Sequence, residues 1–310
     1  RRGHNDGMLD ALQRLPGTVV DGITRPARRE LALEVTRIVV GDERPTRARL
    51  EDRMAAADGG LFGLDSVTWQ VHGDHCLLAG GVRALLLQTM HPLAMAGVAE
   101  HSTYREDPLG RLARTAAYLG TVVYGTVDDA RAAVAAVRAV HERVVGIAPD
   151  GRPYAANDPH LLTWVHHTLV DSMLRAYRRY GNGQLTDAEA DRYVAEWAVV
   201  CDLFGAEPAA TSVDELRHYF RVMRSELMPT PEARAAARFL LAPPLPLHAR
   251  PAYGVIAAAA VGMLPRRVRR ELWLPLLPLV DPLVVRPAAT VAFRSLDWVM
   301  DAYPWAEPAA

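Results

Sequence analysis

The chain has 310 residues, half of them hydrophobic and 23% charged, with a formal net charge of −1. That is ample material for a packed core, and it lacks the basic excess that a nucleic-acid-binding surface requires. Length alone would allow two domains, but no Ser/Gly-rich linker divides the sequence, so one domain is expected.

Two cysteines, Cys76 and Cys201, are too few for a disulfide framework and lie in apolar segments, which predicts reduced thiols and a cytoplasmic setting. The Arg1-Arg2 start resembles the end of a twin-arginine signal, but the residues after it hold no apolar core, so no export signal is read here. No run reaches the roughly 18 apolar residues of a spanning helix. Ala252 to Leu264 is too short, and Leu274 to Val285 is broken by Pro275, Pro278 and Pro282. Both read as core, with membrane-surface contact left open.

Hydrophobic periodicity is helical nearly everywhere, so the fold class expected is all-α, a single-domain helical bundle with at most a minor hairpin. Leu77 to Ala99 is apolar all round and predicts a central helix, or two meeting at Pro92. Gly110 to Tyr124 is the next helix, after the turn-like Asp107-Pro108. Asp128 then caps a helix running to Gly146, and Asp158-Pro159 opens one that ends at Tyr180 before Gly181. Thr186 with Glu189, and Ser212 with Glu215, have capping-box spacing, and Thr230-Pro231 starts another helix. The cations Arg266, Arg267, Arg269 and Arg270 read as the end of a helix. Past Pro243 the prolines predict short helices wrapped over the bundle.

Eleven histidines carry most of the candidate chemistry. Ala130, Val134, Val137, His141 and Val144 follow one another at spacings of four, three, four and three, which turns His141 to the core. Such a histidine is either satisfied by a neighbouring carbonyl or ligates iron, and a neutral imidazole on a rigid helix is a common haem anchor. Arg111, Arg114, Thr115 and Tyr118 share one face of the preceding helix. A row of that kind is either a solvated stripe or a set of donors for haem propionates and a partly anionic oxygen species. In the pair His166-His167, His166 aligns with Leu162, Leu169 and Met173 and reads as inward, whereas His167 aligns with Asp171 and reads as surface. His91 precedes Pro92 and closes a helix turn. Glu100-His101 is a candidate acid or base. His72 and His75, and Glu215 with His218, have metal-like spacing without the partners that a site needs.

Three strings make the chain resemble a known family. RALLLQTMHPLAMAGVAEHSTYREDPLGRLARTAAYLGTVVYGT, VRAVHERVVG and YAANDPHLLTWVHHTLVDSMLRAY are similar to the family that groups bacterial latex clearing proteins with the fungal oxygenase of mycophenolic acid biosynthesis. Its most specific portions are His91-Pro92, the DPLGRLART block and the VHERVVG block, and the resemblance spans roughly residues 60 to 280.

The resemblance implies a globin-like helical arrangement around haem b and oxygen-dependent cleavage of isoprenoid double bonds. The expected division is an extension over 1–60, an oxygenase domain over 61–285 and a packed tail over 286–310. By motif matching, His141 is the proximal iron ligand, Arg111, Arg114 and Thr115 line the distal side, Tyr118 and His166 adjoin the cofactor, and Glu100 is the nearest candidate for a base. The family's lysine is Arg114 here. A guanidinium stays protonated and has no lone pair to give to iron, so a side-chain-capped resting state is not expected. The partners implied are O2 and a hydrophobic small molecule. A non-catalytic haem carrier or gas sensor, or a metal-free helical binding protein, is the alternative.

Overall fold

A computed structural model describes residues 17–40, 60–276 and 278–303. Of the extension expected over residues 1–60, only 17–40 and the last residue are therefore described, and the Arg1-Arg2 start lies outside the described residues.

The fold is all-α apart from one two-stranded hairpin. Helices α1 (Gly17–Val40), α2 (Val67–His72), α3 (Leu77–Gln88), α4 (Pro92–His101), α5 (Pro108–Tyr124) and α6 (Val127–His141) lead to β1 (Val145–Ile147) and β2 (Pro153–Ala155). Then come α7 (Pro159–Tyr180), α8 (Asp187–Phe204), α9 (Val213–Val222), α10 (Pro231–Leu241), α11 (Arg250–Gly262), α12 (Arg266–Glu271) and α13 (Arg286–Met300). Among the described residues no helix is long and apolar enough to cross a membrane.

The centre is the pair α3 and α7. Gly80 lets the two backbones approach, since a Cβ there would lie 2.8 Å from the Met173 sulfur and 3.2 Å from the Ser172 carbonyl oxygen. One turn along, the Arg83 guanidinium meets Asp171 at 2.7 Å, donates to the Ser172 hydroxyl at 2.7 Å and reaches the Met263 carbonyl at 3.2 Å. Arg83 is 1% exposed, so the segment read as apolar all round carries one cation that its neighbours fully absorb. Around this pair lie two apolar clusters. One joins Val122, Val134, Met173, Tyr193, Trp197 and Phe293. The other joins Leu86, Met90, Met95, Trp164, Met223 and Val268.

Several helix limits differ from the sequence reading for local reasons. The apolar segment takes the second of its two expected forms, with α3 and α4 meeting at Pro92, whose ring cannot continue a helix. Thr126, not Asp128, caps α6: its hydroxyl accepts from the Asp129 amide while the Asp129 carboxylate accepts from the Thr126 amide. The same helix ends at His141 rather than Gly146, because residues 145–147 pair with 153–155 in antiparallel register, Gly146 opposite Tyr154. Gly146 is needed there for space, as a Cβ would lie 2.5 Å from the Tyr154 oxygen. Ser212 caps α9, but the Glu215 carboxylate binds Thr211 instead of closing the box. The arginine run makes up most of α12, a short helix begun at Pro265, so Arg266 and Arg267 open it while Arg269 and Arg270 stand in its last turn, as the charge argument expects.

Candidate functional site

Asp107 starts α5 by accepting from the Gly110 amide, with Pro108 in the first helical position. The face that follows holds Arg111, Arg114, Thr115 and Tyr118 in two different settings. Arg111 and Tyr118 are half-buried, whereas Arg114 and Thr115 are exposed. The Arg111 guanidinium donates to the Ser102 hydroxyl, and burial holds its pKa below the usual arginine value. Tyr118 packs on Phe204 with ring centres 6.3 Å apart, and burial pushes its phenol up. Arg114 pairs with Asp107 at 3.1 Å, and the Thr115 hydroxyl donates to the Arg111 carbonyl at 3.0 Å. An exposed pair is a weak restraint, so Arg114 can change partner at little cost.

Helix α6 packs against α5. On its inner stripe Ala130 and Val134 are buried and Val137 and His141 are half-buried, whereas Val144, also half-buried, lies beyond the helix end. His141 is the last residue of the helix. Its Nδ1 is buried with no hydrogen-bond partner, and so is the Asn157 side-chain oxygen. Burial pushes the His141 pKa down, and the Asn157 amide opposes that shift. Asn157 is itself oriented, because its NH2 donates to the Arg138 carbonyl at 3.0 Å, which leaves its oxygen as the atom offered to the imidazole.

The hairpin connects this end of α6 to α4. The Tyr154 hydroxyl donates to the Glu100 carboxylate and lies 3.0 Å from the His101 Nε2. Burial first, then the Glu100 carboxylate, push the Tyr154 phenol up to about 12. Glu100 and His101 are exposed, so this is a polar group at the surface of the α4 terminus.

His166 and His167 both turn inward, which corrects the surface reading of His167. His167 is 1% exposed and its Nε2 accepts from the Ala210 amide at 2.9 Å. Asp171, with which it aligns, pairs with Arg83 and Arg175 instead. His166 lies 6.3 Å from the Trp197 ring, and burial with His167 alongside pushes its pKa down to about 3. His166 is half-buried. His72 stacks on Trp197 and meets the Tyr193 hydroxyl at 3.2 Å, and His75 pairs with Asp297 at 2.6 Å, so the two diverge.

A cluster that the sequence reading did not assemble lies elsewhere. His91 caps α4, His160 is the second residue of α7, and Glu226 follows the short 3₁₀ turn 223–225 after α9. The His160 Nε2 lies 2.8 Å from the Glu226 carboxylate, and the His91 Nε2 lies 3.7 Å from the same oxygen. The other nitrogen of His160 lies 3.2 Å from Glu207. Burial lowers the His160 pKa, but the two carboxylates outweigh it and hold it above the usual histidine value. His91 is 2% exposed, and its Nε2 has no hydrogen-bond partner. Both histidines stand in the first turns of helices, which spacing can show. Glu226 comes from irregular chain and carries no periodic signal.

Two groups can thus hold a metal or cofactor: His141 at the end of α6, with Asn157 as its polar neighbour, and the His91, His160 and Glu226 cluster. A groove of about 310 Å³ between α6 and α8 includes none of them, being lined by residues such as Arg131, Arg138 and Leu203. The α5 row and His141 stand on helices packed together, and an imidazole on a rigid helix with one unpaired buried nitrogen could serve to hold an iron.

Searches of curated proteins and of solved structures each returned no match. A family profile does match. It is the one described as ER-bound oxygenase mpaB/B′/rubber oxygenase, catalytic domain, and it covers residues 69–298, so the chain belongs to that oxygenase family.

Proposed function

We propose that this protein is a haem-b-dependent oxygenase of a hydrophobic, isoprenoid-like substrate, with His141 as the iron ligand. Membership in an oxygenase family makes it an oxidoreductase that takes O2 and a small molecule. The cofactor and the ligand are the finer reading, and the observation that carries them is the unpaired Nδ1 of His141 beside the oriented Asn157. An iron-ligating histidine gives one nitrogen to the metal and its other N–H to a nearby acceptor, and Asn157 supplies such an acceptor.

Haem bound there would supply the O2 chemistry that side chains do not offer. The chain's own part is orientation and charge. Arg111 and Arg114 bring two permanent cations to one face of α5, suited to carboxylates or to negative charge developing on oxygen. Arg111 is held by Ser102, so it is the fixed donor, whereas Arg114 is the one free to move. Thr115 and Tyr118 add hydroxyls to that face. Glu100, bonded by Tyr154, is a proton acceptor near the start of this helix pair.

The absorption spectrum of the purified protein tests the cofactor, since a Soret band is required. Substrate-dependent oxygen uptake with unsaturated terpenoid compounds then separates an oxygenase from a carrier or sensor.

A further inference from the structure

We infer that His91, His160 and Glu226 form a second metal site, for a divalent first-row transition ion of the zinc class, separate from any haem. The three ligand atoms all lie within 4.8 Å of one another. Around a tetrahedral ion with bond lengths of ~2.0 Å, neighbouring ligands stand roughly 3.3 Å apart. The two distances to Glu226, 2.8 Å and 3.7 Å, straddle that value, and the two histidine nitrogens lie within 4.8 Å of each other, so a bound ion would draw the rings together to complete the geometry. Two imidazoles and one carboxylate are also the donor set that such ions prefer.

Two further observations point to an ion rather than to an ordinary ion pair. The His91 Nε2 is buried and unpartnered although it faces the carboxylate. A buried polar nitrogen left so costs free energy that a metal bond would recover. His160 has the outer support typical of a metal ligand, with Glu207 at its far nitrogen holding the ring in place.

Ligation requires His91 to carry its proton on Nδ1. That gives up a contact from the Ala94 amide at 3.5 Å, which is at the outer limit of a hydrogen bond. The charge of Arg152 reaches His91 and Glu226, but Asp150 neutralises it at 2.7 Å. His160 and Glu226 are partly exposed, so the ion can enter from solvent and keep a water as its fourth ligand. It would tie together the start of α4, the start of α7 and the chain after α9, three segments with no backbone pairing in common except the Met228 amide to the Met90 carbonyl.

The test is zinc titration of the full chain after treatment with a chelator that leaves haem intact. One equivalent should bind and survive gel filtration. His160→Asn and Glu226→Gln should each abolish that equivalent, with helical circular dichroism and any Soret band unchanged. Glu207→Gln should weaken binding by about 10- to 100-fold. The inference is overturned if the wild type retains no zinc, which would make His160 a hydrogen-bonded staple between two glutamates. It is overturned equally if the bound equivalent persists in both His160→Asn and Glu226→Gln.

Discussion

The His141 end of α6 and the cluster at the starts of α4 and α7 are both histidine sites, yet they are built in opposite ways. His141 belongs to a regular stripe: one helix, one face, apolar residues at fixed spacing, and a single polar neighbour, Asn157, from the chain just after the hairpin. His91, His160 and Glu226 come from two helix starts and an irregular segment, separated in sequence by more than sixty residues at each step. A periodic site is specified by local helix geometry, and it keeps its orientation as long as that helix forms. An assembled site exists only if the whole core holds three segments in register, so it depends on the α3 and α7 pair far more than on its own residues.

The largest expected effect tests that dependence. Arg83→Met leaves Asp171 buried without its main cation and should cost about 3–5 kcal/mol in urea unfolding at neutral pH. Both histidine regions should loosen together, because α7 supports one directly and the other through the hairpin. The same pair sets an acid limit. Burial pushes the Asp171 carboxyl up, but Arg83 and Arg175 outweigh it and hold it below the usual carboxylate value. A depressed carboxylate stabilises the fold above its unfolded pKa of ~3.9 and loses that contribution as pH falls through its folded pKa. Unfolding free energies measured between pH 5 and 3 should therefore fall more steeply in wild type than in Arg83→Met, and parallel slopes would refute the assignment.

Single histidine variants sharpen the comparison next. His141→Ala should remove the Soret band or leave only loosely held haem, whereas His160→Asn should leave it intact. If the loss follows His91 or His166 instead, the ligand has been misassigned. Asn157→Leu should act on the same centre more gently, lowering haem affinity by about 10- to 100-fold through loss of the partner that orients the ring. Arg114→Lys should change the spectrum without changing occupancy. A wild-type ferric form without a side chain on the distal position should become nitrogen-ligated and low-spin when a lysine, able to lose its proton, replaces the guanidinium. Smallest of all, Tyr154→Phe removes one bond to the exposed Glu100 and should cost about 1 kcal/mol in the same urea assay.

The contrast also shows how far the sequence can be read. Helix positions followed from caps and apolar spacing: Thr186 with Glu189, Asp158-Pro159 and the α6 stripe all express interactions within one or two turns. The α5 row was legible as a row, but its division into half-buried Arg111 and Tyr118 and exposed Arg114 and Thr115 was not. That division depends on Ser102, Asp107 and Phe204, of which Phe204 is far away in sequence. His167 was read as surface because Asp171 lies four residues on, and the fold gave Asp171 to Arg83 instead.

By itself, then, the sequence determined an all-α chain, the helical register of His141 and membership in the oxygenase family, since each rests on local spacing or on contiguous motifs. Only the tertiary structure decided which carboxylate meets which cation or imidazole. Asp171 reaches back 88 residues to Arg83, and Glu226 reaches back 66 to His160, distances over which periodicity carries no information. Those pairings are settled when α3, α7 and the segment after α9 pack, because a buried charge or ring nitrogen must then find a partner among whatever groups the core has brought beside it.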